Sequence, residues 1–496
     1  MTTLTRYHKP AERVLGALLP GLSAEIAAIP IGGLCLDSRR LKPGEVFLAV
    51  RGHRQDGRDH IDAAVAAGAV AVIADAPCDA SVWSLPVLEV KDLGQRLSAI
   101  ADNYYASPSR SLRLVGITGT NGKTSCSWML AQLLEAMNEP CGIVGTLGNG
   151  RLGSLQLAGN TTPDAVAIQA LLADWCEAGA RWASMEVSSH GLAQHRVEAL
   201  RFDAAIFTNL SQDHLDYHGS MAAYAAEKAR LFSWPELALA VINKDDEFGR
   251  QLLRQSSARQ VVNYSLSDPA ADVYIERLAS DISGSRARLH SPWGVIDIDT
   301  PLLGDFNLAN LAATCAVLLA RDIAADDISA LLGALQPVPG RMQCLRSEDG
   351  VLVVVDYAHT EDALQKVLAS LRPLTGGRLT CVFGCGGERD RGKRPLMGRA
   401  AAGGADRVFV TSDNPRSESP KAIIDDICRG IDDQRSLRVE EDREQAILDA
   451  IADAAPGDVV LIAGKGHELS QDVNGQKLPF SDLAVANRAI GRREAI

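Results

Sequence analysis

The stretch LRLVGITGTNGKTSCSWMLAQLLEAM, beginning at Leu112, constrains this chain more than any other. LRLVGIT reads as a buried strand and GTNG as a tight turn. KTSCSWMLAQLLEAM reads as a helix on which Met129, Leu133, Leu134 and Met137 can share one face. A strand passing through a glycine turn into a helix is the frame of a phosphate-binding loop. Glycines let backbone N–H groups approach phosphate oxygens, and the helix N-terminus adds partial positive charge. Lys123 stands where it can neutralise outer phosphates, and Thr124 where its hydroxyl can reach Mg²⁺. The spacing is unusual. The glycine wanted six residues before the lysine is Ile117, with Gly116, Gly119 and Gly122 around it. The loop therefore belongs to a subset of nucleotide sites.

A chain of 496 residues exceeds one ordinary core, and two to four domains are expected. LRLVGIT, WASMEV, AAIFTN and LALAVIN are near-continuous apolar runs, as a parallel sheet covered on both faces requires. From 112 to about 341 strand and helix alternate, the pattern of a doubly wound sheet. NYYASPSRS, 103–111, reads as a linker after an N-terminal α/β part, in which LKPGEVFLAV supplies a turn and a strand. HIDAAVAAGAVAVIAD adds a helix, a stop at Gly68 and a buried strand. LQPVPGR, 335–341, marks a second boundary. Beyond it VLVVVDYA, LTCVFGC, DRVFVTSD and DVVLIAGKG indicate another, smaller α/β domain.

The net charge of −12 argues against general nucleic-acid binding, which needs a basic face. No apolar run approaches the roughly 20 residues of a membrane-spanning helix, and the start is a poor signal peptide. Ten scattered cysteines without metal-like spacing read as reduced thiols. A cytoplasmic enzyme, acting as a monomer on small molecules, is expected.

Several polar stretches follow apolar strands. Glu186, in WASMEVSSHGL, closes one, where open α/β sheets place ligands, and can hold Mg²⁺ or simply end a strand at the surface. Asp213, His214, Asp216 and His218 gather after AAIFTN as metal ligands or as a solvated capping turn. Lys228 in YAAEKARLF reads locally as a surface lysine on an amphipathic helix. In the last part DYAHTEDAL, FGCGGERDRGKRP, TSDNPRSESP and AGKGHE end four strands on one sheet edge, which describes a cleft. Arg389 and Arg416 are suited to planar carboxylates or phosphates.

GTNGKT, MEVSSHGL, DHLDYH, GRM, DYAHTEDAL, GCGGERDRGKRP, DNPRSE and AGKGHE occur in the order found in the Mur ligases, and the chain resembles that family from about residue 36 to 482. The resemblance implies ATP-dependent addition of an amino acid to a peptidoglycan precursor. It also implies three domains: 1–107 for the UDP part, 108–341 as a P-loop-type ATPase, and 342–496 as a Rossmann-like amino-acid domain. In this family the residue before the loop need not be glycine, which accounts for Ile117. Gly119, Thr120, Asn121, Gly122, Lys123, Thr124, Ser125, Asn307, Arg341 and Asp356 become the ATP side. Leu36, Ser38, His53, Arg54, Gln55, Asn160, Thr161, Thr162, Ser188, Gln194 and Arg196 become the nucleotide-sugar peptide side. Glu186 and His214, with Thr124, resemble the Mg²⁺ ligands, and Lys228 matches a lysine the family carbamylates. Arg389, Asp413, Asn414, Pro415, Arg416, Gly464 and Glu468 become the amino-acid site. DNPRSE points to meso-diaminopimelate, because a buried arginine left unpaired by lysine costs several kcal/mol, on the order of 10²-fold in selectivity. A lysine-adding relative, a folylpolyglutamate-type ligase, a plain P-loop NTPase and a catalytically silent paralogue are the competing readings.

Overall fold

Apolar runs bounded by turn residues become three successive sheets in the computed structural model, which describes residues 4–9, 13–52, 55–433 and 435–494. His53 and Arg54 of the expected UDP side lie outside the described residues. The first sheet is parallel, in the order β1 (Gly33–Cys35), β2 (Glu45–Ala49), β3 (Ala71–Asp75) and β4 (Val87–Val90). Gly68, with φ +93°, stops the helix before β3.

The second sheet contains β5 (Arg113–Thr118), β6 (Cys141–Gly145), β7 (Gly148–Gly150), β8 (Trp182–Glu186), β9 (Ala204–Phe207), β10 (Leu239–Asn243) and β11 (Gln260–Ser265). It continues with β12 (Val273–Asp281), β13 (Gly284–Ser291) and β14 (Gly294–Thr300). Its order is β14-β13-β12-β11-β10-β9-β5-β8-β6-β7. β5 pairs in parallel with β8 on one side and β9 on the other, so chain order reverses beside it and a crevice opens at its C-terminal end. Helices Lys123–Ala136 and Asp305–Leu319 pack in the hydrophobic cluster on one face, and Ala165–Glu177 belongs to the other.

The third sheet runs β15-β16-β20-β17-β18-β19, from β15 (Gln343–Arg346), β16 (Leu352–Asp356), β17 (Leu379–Phe383), β18 (Arg407–Val410), β19 (Leu437–Val439) and β20 (Val459–Ala463). Its strands are parallel except β15. A hairpin of β21 (Ser470–Val473) and β22 (Gln476–Pro479) follows.

Two expectations need correction. The central sheet is not purely parallel: β12–β14 form an antiparallel arm and β7 an antiparallel edge. β13 and β14 alternate buried and exposed residues because only one face packs, so they lack a continuous apolar run. The 103–111 stretch is not an open linker. Helix Leu93–Tyr105 runs into it, and a 3-10 turn, Pro108–Ser111, buries Pro108 and Ser109. The ten cysteines are all unpaired.

Candidate active site

The loop after β5 turns on glycines that no other residue could replace in place. Gly119 has φ +147°, and a Cβ there would lie 1.9 Å from Thr208 Oγ1. Thr120 N donates to Asn209 O at 2.8 Å, and Asn121 N to Asn209 Oδ1 at 3.0 Å, so the loop after β9 holds the loop after β5. Lys123 Nζ folds back to donate to Gly119 O and Thr120 O, each at 2.8 Å. Lys228 Nζ donates to the same Gly119 carbonyl at 2.7 Å. Two amines thus converge on one carbonyl of a loop whose backbone N–H groups and helix N-terminus suit a phosphate.

Lys228 is 1% exposed, contrary to its local reading as a surface residue. Helix Met221–Ala229 carries it inward beside Tyr224, whose ring centroid lies 4.5 Å from Nζ. Burial, reinforced by the Lys123 charge and opposed by Asp213, pushes its pKa well below the ordinary lysine value. Burial also lowers Lys123, against the pull of Glu186 and Asp213.

Glu186 ends β8 and is 1% exposed. It accepts from the Thr124 hydroxyl at 2.9 Å, from Thr146 N at 2.8 Å and from Thr146 Oγ1 at 3.1 Å, all neutral donors. Thr146 Oγ1 meets Thr161 Oγ1 at 3.0 Å. Thr162 Oγ1 donates to Glu186 O at 2.8 Å and meets Ser188 Oγ at 3.0 Å. Arg196 reaches Thr162 O and grips Gln194 Oε1 from Nε and Nη2 at 3.1 and 2.6 Å. Thr161, Thr162, Ser188, Gln194 and Arg196 are thus one network wired to Glu186, with Asn160 exposed beside it. Leu36, Ser38 and Gln55 lie on loops after β1 and β2, and make no hydrogen bond to that network among the described residues.

His214 adopts a left-handed conformation, φ +55°, at the start of helix Leu215–His218, and its carbonyl accepts from His218 N at 3.0 Å. Both rings contact His190, with centroids 4.8 and 5.4 Å away. Burial holds His214 below its ordinary pKa, against the opposing charge of Asp213. A neutral imidazole can donate a lone pair to a cation. A buried carboxylate met only by neutral donors, with the Thr124 hydroxyl bonded to it, offers the oxygen donors that fit Mg²⁺. Among the described residues no group of three His, Cys, Asp or Glu forms a closed metal cage.

A cavity of about 560 Å³ is lined by Asn121, Gly122, Ser125, Asn310, Arg341 and Asp356, among others from both sheets' helices. Arg341 stacks on Tyr357, 4.3 Å from the ring centroid, and its Nη2 lies 3.4 Å from Thr124 Oγ1. Asp356 is raised by burial, against Arg341 and the Met342 and Ala358 N–H groups. Asn307 does not line this cavity; its amide donates to Leu303 O at 2.8 Å. The sheets face one another elsewhere too: Asp213 Oδ2 lies 3.4 Å from His214 and 3.9 Å from His359.

Asp413, Asn414, Pro415, Arg416, Gly464 and Glu468 come together at the ends of β18 and β20. Asn414 Nδ2 donates to Glu468 Oε2 at 2.8 Å, and a Cβ on Gly464 would lie 2.7 Å from Asp413 Oδ2. Pro415 is buried, while Arg389 is exposed on the neighbouring loop. Sequence reasoning missed Lys465, fully buried, whose Nζ binds Asn414 Oδ1 at 2.9 Å and Glu468 Oε2 at 2.8 Å. Its place inside AGKGHE was the available signal. It also missed Arg443, which had none. Arg443 pairs with Asp482 at 2.8 Å with both side chains fully buried, and donates to Ser412 O and Ala463 O at the roots of both loops. Arg443→Met leaves Asp482 uncompensated and is expected to cost about 3–5 kcal/mol in denaturant unfolding of the full chain.

Three family models match: "Mur ligase family, catalytic domain" over residues 30–105, "Mur ligase middle domain" over 117–318, and "Mur ligase, glutamate ligase domain" over 340–466. The chain belongs to the Mur ligase family. An Ectopseudomonas mendocina protein named UDP-N-acetylmuramoyl-L-alanyl-D-glutamate--2,6-diaminopimelate ligase is 52% identical over 483 residues, covering 97% of this chain and 99% of that protein. A Neisseria meningitidis protein of the same name is 47% identical over 485 residues, covering 96% and 98%. A solved structure of a ligase so named matches with TM-score 0.70 at 38% identity, over 97% of this chain and 99% of that one. The MurF ligase of Thermotoga maritima in complex with ADP, 20% identical with TM-score 0.67 over 93% and 98%, shares the fold.

Proposed function

We propose that this chain is an ATP-dependent acid–amino-acid ligase that joins meso-2,6-diaminopimelate to UDP-N-acetylmuramoyl-L-alanyl-D-glutamate, releasing ADP and phosphate, in cytoplasmic peptidoglycan-precursor synthesis. The near-full-length relatives so named support the substrates. The observation that carries the chemistry is the meeting of a phosphate loop with a polar loop cluster from a second α/β sheet across one cleft.

A carboxylate is a poor electrophile, so the D-glutamate carboxylate first attacks the γ-phosphate of ATP and becomes an acyl phosphate. Gly119–Gly122 backbone groups and Lys123 cradle the phosphates, Ser125, Arg341 and Asp356 face the cavity for the rest of the nucleotide, and Arg196 orients the peptide end of the acceptor. Thr124, Glu186 and His214 would hold Mg²⁺, which supplies charge neutralisation for phosphoryl transfer. Lys228, whose pKa burial pushes well below the ordinary lysine value, can take up CO₂ with loss of a proton, and the resulting N-carboxylate would add an anionic group beside the phosphate loop. Asp413, Asn414 and Glu468 receive the ammonium at the far end of diaminopimelate, and Arg389 and Arg416 its carboxylate. The amine then attacks the acyl carbon, and phosphate leaves.

Phosphate release from ATP and Mg²⁺ with the UDP-dipeptide is expected only when diaminopimelate is present, with tripeptide as co-product. Turnover with L-lysine instead would sink the assignment of Arg416. Release indifferent to both substrates would leave a plain NTPase.

A further inference from the structure

Ser417 and Glu418 close the DNPRSE stretch, and neither is among the residues assigned to the amine. Glu418, 14% exposed at its side chain, is instead the hub between two loops. Its Oε1 and Oε2 accept from Arg394 Nη2 at 3.0 and 3.1 Å, and Oε2 lies 3.1 Å from Arg391 Nη2. Oε1 also accepts the backbone N–H of Glu388, a residue in the left-handed region at φ +52°. Ser417 Oγ donates to the Glu388 carboxylate. Arg394 is 1% exposed and anchors its other arm on Asp426 at 3.0 Å.

Between these anchors the 386–391 loop lies flat against DNPRSE. Gly387 N donates to Asn414 O at 2.9 Å, and a Cβ on Gly387 would sit 2.0 Å from Pro415 O. Arg416 Nη1 donates to Gly387 O at 2.5 Å. Hence the guanidinium is aimed by a carbonyl whose own position depends on the next residue's bond to Glu418. We propose that Glu418 is a positioning residue for the amine substrate: with Arg394 it clamps the 386–391 loop, and so fixes the Gly387 carbonyl that orients Arg416. This rests on the reading of Arg416 as the group that binds the substrate's far carboxylate.

Steady-state kinetics of the full chain test it with Glu418→Gln, which keeps shape and removes charge, with Arg416→Lys, and with the double variant. Glu418→Gln is expected to raise KM for diaminopimelate by about tenfold or more, with KM for ATP and saturated kcat within about threefold. Acting through Arg416, it adds no more than about threefold to the loss in Arg416→Lys. Should Glu418→Gln fold poorly by thermal midpoint, Glu418→Asp keeps the charge on Arg394 but falls a methylene short of Glu388 N, and an intermediate rise in KM is expected. A diaminopimelate KM unchanged in the folded Glu418 variant, while Arg416→Lys raises it, overturns the clamp and leaves the site reading intact. No rise in either variant overturns both. Full additivity in the double variant overturns action through Arg416.

Discussion

Lys228→Met is expected to lower turnover by about 10²–10³-fold while leaving the unfolding midpoint unchanged or raised. The argument is one of position. A lysine that is 1% exposed, hydrogen-bonded to Gly119 O and packed on Tyr224, has no carboxylate among its hydrogen-bond partners to offset its desolvation. Methionine fills the same volume without that cost, so fold stability gives no reason for an amine here. The chemistry does, since a buried amine with a lowered pKa, held against the phosphate loop, can become an N-carboxylate and meet a cation that a lysine ammonium would repel. Two readouts separate this from simple loss of the Gly119 bond. Activity of the parent enzyme is expected to fall when CO₂ and bicarbonate are removed and to return when they are restored, and the Lys228→Met variant is expected to show neither response. A parent enzyme insensitive to bicarbonate, with an unmodified Lys228 by mass spectrometry during turnover, would show that the amine itself serves.

What the sequence could disclose follows from the distance over which each feature is encoded. Strands buried on both faces, such as β5, β8 and β16, carry their signature in five or six consecutive residues, and the phosphate loop carries its own in GTNGKT. Glu186 was placed at a strand end for the same reason. The β12–β14 arm was not visible because each strand is half wet, and its apolar face is covered by helices distant in sequence, Asp305–Leu319 and Ala325–Ser329. Lys228 was misread locally because it follows Glu227 at the end of a short helix; that this face turns inward depends on the loop after β5, over 100 residues away. The Arg443–Asp482 pair spans 39 residues and joins a helix to the roots of two loops, a relation no short window contains. Lys465 and Glu418 sat inside recognised motifs, yet their roles appear only when the loops meet. Motif order identified the chemistry, and long-range packing decided which residues serve it and which hold those in place.

Glu186→Gln is the other change expected to be severe, lowering kcat/KM by about 10²–10³-fold. The amide keeps the size of the side chain, and one oxygen remains to accept from Thr124 Oγ1 or from Thr146 N, now 2.9 and 2.8 Å from the carboxylate. The site therefore survives sterically, and the thermal midpoint is expected to stay within a few degrees, since only part of one buried hydrogen-bond network is altered. What is lost is the negative charge that acts on the Lys123 amine. If Glu186 serves as a cation ligand, the Mg²⁺ concentration for half-maximal activity rises and excess Mg²⁺ restores part of the rate. If it serves only to hold Thr124 and Thr146, the metal dependence stays where it was and the defect appears as disorder of the acceptor network instead. Because Thr161, Thr162 and Ser188 connect to Glu186 through Thr146 and the Glu186 backbone, that second outcome would raise KM for the UDP-dipeptide without moving the Mg²⁺ curve. A variant with an unshifted Mg²⁺ curve and a raised dipeptide KM would remove Glu186 from the metal site and leave it as the post on which the acceptor pocket is built.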